Sequence, residues 1–209
     1  MPNYVNCSLC VVGEEKELKK FKEFAKSDEN KLGLPIQDND GNKGVTNVLS
    51  SHKFVPYPEK YAKYDRKPKE IPKIEKTDGK RKTIIHYQDG YNSGGYEWCN
   101  KFWGSKWGIC DAEITQETDK FISYSFQSPW SFPVPLAQKM SEMFPKLEFD
   151  FEMDEESFAF IGELFFKAGK ITKDTTHKPT RKELVEKEFV DEEQAEDWWG
   201  KNWREDGNI

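Results

Sequence analysis

The sequence predicts an α+β fold: an antiparallel sheet with helices on one face and a helical appendage at the C-terminus. Three observations carry this. Apolar residues recur with period two in several short segments, the mark of half-buried strands. Other segments carry apolar residues at helical spacing. And although apolar residues make up only 35% of the 209, the 15 Phe, 8 Tyr and 7 Trp supply enough buried area for a core.

Residues 4–12, YVNCSLCVV, read as a strand with Val5, Cys7, Leu9 and Val11 on one face, and Gly13 breaks it. EEKELKKFKEFAKS then reads as an amphipathic helix, with Leu18, Phe21 and Ala25 at i, i+3 and i+7. Residues 28–44, rich in Asp, Asn, Gly and Pro, read as a loop. Residues 55–82 hold Pro56, Pro58, Pro68 and Pro72 among lysines. They predict an extended, poorly packed insertion and no helix, since each proline removes a donor and disfavours helix before it. TIIHY, 83–87, reads as a short strand.

The stretch WCNKFWGSKWGIC, 98–110, spaces Trp98 and Phe102, then Cys99, Trp103 and Trp107, by four. It predicts a short helix ending near Trp103 with Gly104 past its end, and core positions for Trp103 and Trp107. CDAEI and FISYSF follow as strands, with Cys110, Ala112 and Ile114 on one face and Ile122, Tyr124 and Phe126 on another. SPWSFPVPLAQKMSEMFP becomes a helix with a Leu136, Met140, Phe144 stripe, and Pro135 sits in its first turn.

The cleanest strand is 147–154. Leu147, Phe149, Phe151 and Met153 alternate with Glu148, Asp150, Glu152 and Asp154, which predicts one core face and one face of carboxylates in water. SFAFIGELFF follows as its hairpin partner. Strand, helix, strand, strand matches half of a ferredoxin-like sheet. The domain is therefore expected to span 1–175, with a basic Pro/Lys-rich insertion at about 55–82. Residues 176–209 form an acidic, Trp-rich helical tail. There ELVEKEF predicts a helix with Val185 and Phe189 on one face. DEEQ predicts a capping box with Asp191 as cap and Gln194 at the third helical position. Ala195, Trp199 and Trp203 then share a face, with Trp198 about 100° away.

The net charge of −6 conceals an asymmetry. Residues 53–82 hold 11 bases against 5 acids, whereas 183–209 hold 3 bases against 10 acids. No apolar run approaches the roughly 18 residues that span a bilayer. The N-terminus has no basic leader, and its apolar run is broken by Asn6 and Ser8, so it does not read as a signal peptide. The expected setting is the cytoplasm, where four cysteines are most simply reduced thiols.

No motif of phosphate-loop, dinucleotide, nucleophile-elbow or zinc-protease type is present, and His52, His86 and His177 fall in unrelated contexts. Asp150, Glu152 and Asp154 share a face that could hold a divalent ion, but such a row is the ordinary solvent side of an antiparallel strand. The chain is therefore read as non-enzymatic and without a cofactor. A four-thiolate zinc site from Cys7, Cys10, Cys99 and Cys110 is the candidate metal clasp. Against it, Cys7 and Cys10 point to opposite faces of a strand, and ten residues separate Cys99 from Cys110.

The segments MPNYVN, KFVPYP, WGSKWGICDAE, SPWSFPVP and MFPKLEF occur in that order. The chain resembles the YubB-type ferredoxin-like family of plasmid and phage proteins over roughly 1–25, 52–58 and 96–166, most specifically in WGSKW, SPWSFPVP and MFPKLEF. The resemblance implies a ferredoxin-like C-terminal domain and a mobile-element protein acting in a bacterial cytoplasm. The family has no agreed catalytic residues, so none is carried over.

Two partner classes remain. A host protein with a basic surface suits the tail, where Trp198, Trp199 and Trp203 would anchor and Asp191, Glu192 and Glu193 would steer. From the mobile-element setting, a defence nuclease is the expected target. A nucleic acid would instead use Lys80, Arg81 and Lys82, against an acidic chain and the carboxylate face of 147–154.

Overall fold

The computed structural model describes residues 3–28, 46–77 and 80–199, apart from the side chains of 28, 46, 47, 75–77, 80 and 81. The first strand, β1 (Tyr4–Val12), leads into helix α1 (Glu15–Ala25). Strands β6 (Cys110–Glu117) and β7 (Phe121–Pro129) follow after a long insertion, then helix α5 (Val134–Met143) and strand β8 (Glu148–Glu155). Two further strands, β9 (Ile161–Lys167) and β10 (Lys170–Asp174), complete one sheet of order β10-β9-β8-β1-β7-β6, antiparallel throughout.

Without β9 and β10 the order is β8-β1-β7-β6 along a β-α-β-β-α-β chain. This is the complete ferredoxin-like topology. Of the half expected from β7, α5, β8 and β9, the first three belong to this set and β9 lies outside it: β1 is central, and β9 and β10 extend the sheet at one edge. Local periodicity identifies strands but carries no record of which neighbour each will pair with.

The alternations hold. Val5, Leu9 and Val11 of β1, Ile122, Tyr124 and Phe126 of β7, and Phe149, Phe151 and Met153 of β8 are buried beneath Leu18 and Phe21 of α1 and Leu136 and Met140 of α5. Phe21 sits at the centre, with edge contacts to Tyr124, Phe144 and Phe149 at 5.2–6.1 Å. Burying a side chain of this size contributes about 1.5–3 kcal/mol.

The insertion between α1 and β6 departs from expectation. Short strands β2 (Ser27–Asp28) and β3 (Thr46–Asn47) pair with each other. The loop expected at 28–44 otherwise lies outside the described residues. Helices α2 (Ser51–Phe54) and α3 (Glu59–Arg66) follow, so the stretch from 55 is not wholly extended. The prolines explain the miss. Pro58 occupies the N-cap of α3 and Pro68 lies past its end, so neither removes a bond inside the helix. Phe54, Tyr57 and Ala62 are buried in the main core.

What does stand apart is the hairpin of β4 (Lys69–Thr77) and β5 (Lys80–Gln88), a separate two-stranded sheet. The TIIHY strand is the middle of β5, and Lys80, Arg81 and Lys82 lie at its start.

Helix α4 (Gly95–Phe102) ends at Trp103, with Gly104 next at φ +80°, as the spacing predicts. Trp103 is 1% exposed and Trp107 is half-buried. In WGSKWG the second glycine, Gly108, holds φ +85°, and a Cβ there would fall 2.4 Å from the Ser51 Oγ. That same Oγ accepts the Ile109 N–H at 2.9 Å, so the turn and α2 lock each other.

At the C-terminus, α6 (Arg181–Glu186) buries Leu184 and leaves Phe189 40% exposed. Val185 is half-buried. The expected Val185–Phe189 face is displaced because the helix stops at Glu186 and Glu188 turns through φ +59°. In α7 (Glu192–Trp199) the capping box forms: Asp191 Oδ1 accepts the Gln194 N–H at 2.7 Å, and Gln194 Oε1 accepts the Asp191 N–H at 3.4 Å.

Candidate functional site

Side chains alternate along β8, so its carboxylates fall on the sheet face opposite α1 and α5. That face is not bare. Past β10 the chain returns along the outer side of β9, where the Ile161 and His177 backbones exchange hydrogen bonds of 2.9 and 3.0 Å. Gly162 permits this approach, since a Cβ there would lie 2.5 Å from the Thr176 Cα. The strap from Thr175 to Phe189 walls a cleft of about 1000 Å³ over the sheet.

The cleft floor is a polar relay across three strands. Gln127 Nε2 of β7 donates to Asn6 Oδ1 of β1 at 3.0 Å, and Asn6 Nδ2 donates to Asp154 of β8 at 2.8 Å. Around it stand Asp111 and Glu113 from β6, Glu152 from β8 and Glu163 from β9. Asp111 holds φ +49° where the β6–β7 register slips, a bulge that turns its strand locally. The wall contributes His177 and Lys187, both engaged by Glu183: His177 Nε2 at 2.9 Å and Lys187 Nζ at 3.2 Å. The cleft is thus acidic, and the two basic side chains of its wall, His177 and Lys187, are both engaged by Glu183.

The carboxylates of β8 are not equally in water, contrary to expectation. Glu148 and Glu152 are exposed, but the shorter side chains of Asp150 and Asp154 are half-buried, Asp154 held against the sheet by Asn6. Burial pushes the Asp150 carboxyl up, with Glu163 and then Glu152 adding repulsion. At the far end of β8, Glu155 is 3% exposed. Burial raises its pKa, but hydrogen bonds from Ser157 and the Ala159 N–H outweigh that and hold it low.

The cysteines are dispersed. Cys7 is buried under the helices, while Cys10 is part-exposed on the open face; Cys99 lies in α4 and Cys110 begins β6, both buried. Among the described residues no group of three His, Cys, Asp or Glu side chains is gathered to hold a metal. Burial raises the Cys7 thiol, and lifts those of Cys99 and Cys110 to about 12. A thiol shifted that way is a weak nucleophile.

The tail residues divide. Asp191 is spent on the cap, whereas Glu192 and Glu193 lie exposed in the first turn of α7. Trp199 packs on Leu184, Val190 and Ala195, with the Arg181 guanidinium 5.6 Å over its ring, while Trp198 is 59% exposed. Trp203 lies outside the described residues. In the hairpin Lys82 is exposed, and the side chains of Lys80 and Arg81 lie outside the described residues.

Sequence reasoning missed the cleft itself and one aromatic. Trp130 is 47% exposed at φ +71°, and Lys106 Nζ lies 4.3 Å over its ring and 4.5 Å over that of Trp107. The Ser128–Pro–Trp–Ser tract held only a generic turn signal. The strap gave none, since its placement depends on pairing with β9.

The sheet order and the two helices on one face define a ferredoxin-like domain. Residues 106–197 match the family model described as the ferredoxin-like domain in Api92-like protein. The match begins after β1 and runs into α7, so the central strand comes from outside it. Among solved structures, the crystal structure of protein Api92 from Yersinia pseudotuberculosis is similar, with a TM-score of 0.49 and 10% sequence identity over 85% of this chain and 98% of that one. No curated protein matches in sequence. No helix among the described residues is long and apolar enough to cross a membrane.

Proposed function

We propose that this chain is a non-enzymatic binding protein of a mobile element, and that its acidic cleft engages a basic surface of a host protein in the bacterial cytoplasm. One observation carries the reading: Asp111, Glu113, Glu152, Asp154 and Glu163 converge from three strands on one side of the sheet. Such a surface repels a phosphate backbone and steers a cationic protein. The raised thiols add support, since they leave no activated cysteine nucleophile among the described residues. Trp198 offers an exposed aromatic anchor on α7. A defence nuclease, whose own substrate groove is basic, is the target class that fits the mobile-element setting. The competing reading is a nucleic-acid module using the hairpin, where Lys69, Lys73 and Lys82 are exposed.

The test compares the full chain with its Glu113→Gln, Glu152→Gln double variant as bait in host lysate. A partner held by the parent, weakened by salt and lost by the double variant supports the cleft. Equal capture by both sinks it. Retention of DNA or RNA that Lys82→Ala weakens would favour the hairpin instead.

A further inference from the structure

Trp130 stands in the turn after β7 with φ +71°. A bulky residue rarely holds such a backbone, and the strain persists only where its surroundings impose it. Here they do. The Trp130 N–H donates to the Asn3 carbonyl at 2.8 Å, Ser128 Oγ donates to the Ser131 carbonyl at 2.8 Å, and Ser131 Oγ donates to the Gly104 carbonyl at 2.7 Å. Core packing does not account for this, since Trp130 is 47% exposed. The strained turn presents an indole to solvent.

The indole has company. Lys106 Nζ lies 4.3 Å from its ring centroid and 4.5 Å from that of Trp107. Tyr96 meets Trp130 edge-to-face at 6.3 Å and Tyr91 at 5.9 Å. Tyr91 Oη donates to the Lys106 carbonyl at 3.0 Å, which fixes the backbone that carries the lysine. The chain has a net charge of −6, yet among the described residues no carboxylate pairs with the Lys106 ammonium. None of these side chains lines the acidic cleft.

The two features together specify a ligand. An exposed indole is the complement of another flat ring, and stacking of this kind holds nucleobases whatever their sequence. A half-buried ammonium without a carboxylate calls for an anion, and lysine binds phosphate as a point charge. A phosphate alone leaves the ring unused, and a neutral ring leaves the cation unused. A nucleotide supplies both in one unit.

We propose that Trp130 and Lys106 form a nucleotide site, with the base stacked on Trp130 and the phosphate paired with Lys106. The nucleotide is either free or part of a single strand.

Titration of the full chain with adenosine monophosphate, followed by the indole N–H signals of Trp130 and Trp107, tests this. The expected result is saturable shifts with a Kd on the order of 1 mM. Adenosine and inorganic phosphate, each with half of the ligand, should bind several times more weakly. Glycine accepts a positive φ, so Trp130→Gly should keep the circular dichroism of the main sheet while binding weakens about tenfold or more. Lys106→Gln should bring the mononucleotide down to the level of adenosine. A short oligoadenylate that binds more tightly than the mononucleotide identifies a strand as the source, and one that binds more weakly identifies the free nucleotide. Absence of shifts up to about 10 mM overturns the proposal. So does binding that is unchanged in either variant, or a phosphate ion that binds as well as the nucleotide. A Trp130→Gly chain that fails to fold also overturns it, because the ring is then structural.

Discussion

Trp103 donates its indole N–H to the Val55 carbonyl at 2.8 Å, across 48 positions of sequence. This one bond ties the end of α4 to the chain leaving α2. Tyr57 and Trp98 pack their rings against the same indole at 5.8 and 5.4 Å. The α2–α3 part of the insertion is thereby built into the core, while the β4–β5 hairpin stands apart.

Replacing Trp103 by Ala should cost about 3–5 kcal/mol. Trp103→Phe retains much of the packing but orphans the Val55 carbonyl, for a further test of about 1 kcal/mol from the hydrogen bond. Urea unfolding followed by circular dichroism measures both. A fully stable Trp103→Ala protein would contradict the buried position.

Glu155 is a carboxylate whose pKa is held low in the folded state, so its stabilisation is present above the unfolded value of about 4.3. It is lost as pH falls through the folded pKa. Glu155→Gln should therefore destabilise at pH 7, by about 1.5–3 kcal/mol for bonds to a charged acceptor. The gap between variant and parent should close on going below about pH 4. A gap that is constant with pH would show that the charge plays no part.

His177 is shifted the other way. Its hydrogen bond to Glu183, then that to the Thr175 carbonyl, raises its pKa. The contribution is present below the unfolded value of about 6.5 and disappears as pH rises through the folded pKa. NMR titration should place the imidazole above its ordinary range, and Glu183→Gln should bring it down. The amides of Ile161 and Thr175, on either side of the strap, should respond over the same pH window. An unshifted imidazole in the parent would remove the strap's electrostatic tie.

The paired tryptophans of α7 should part company. Trp199→Ala should loosen the Leu184, Val190, Ala195 cluster, seen as faster amide exchange in α6 and α7. Trp198→Ala should leave stability within about 0.5 kcal/mol, as at an open surface. If Trp198 is a partner anchor, its loss should abolish capture in the lysate experiment while the fold stands. Truncation after residue 190 removes Ala195 and Trp199, so the α6 cluster should open while the main sheet persists.

Much of the architecture follows from spacing alone. Leu18, Phe21 and Ala25 face the sheet because 3.6 residues per turn put them there, and all three are buried. The alternation of 147–154, the Asp191–Gln194 capping box and the helix end before Gly104 are equally local. In each, residues within a few positions satisfy one another or share one face. The helix between Pro58 and Pro68 was legible in principle, because proline breaks a helix only from inside.

What the sequence by itself determined is therefore β1, the middle of β5, β6 to β9 and the helices α1 and α4 to α7, the buried face of most of them, and the α+β class. Only the tertiary structure decided that β1 runs through the middle of the sheet, that α2, α3 and the β4–β5 hairpin come between α1 and β6 without adding a strand to it, and that the 175–189 strap stands over the acidic face. Those outcomes depend on which strand edges meet and how closely backbones approach, as at Gly162 and Thr176. Such contacts join residues far apart in the chain, where local periodicity carries no information. The cleft is built wholly from them: Asn6, Gln127 and Asp154 meet from three separate stretches, and none of the three is distinctive in its own surroundings.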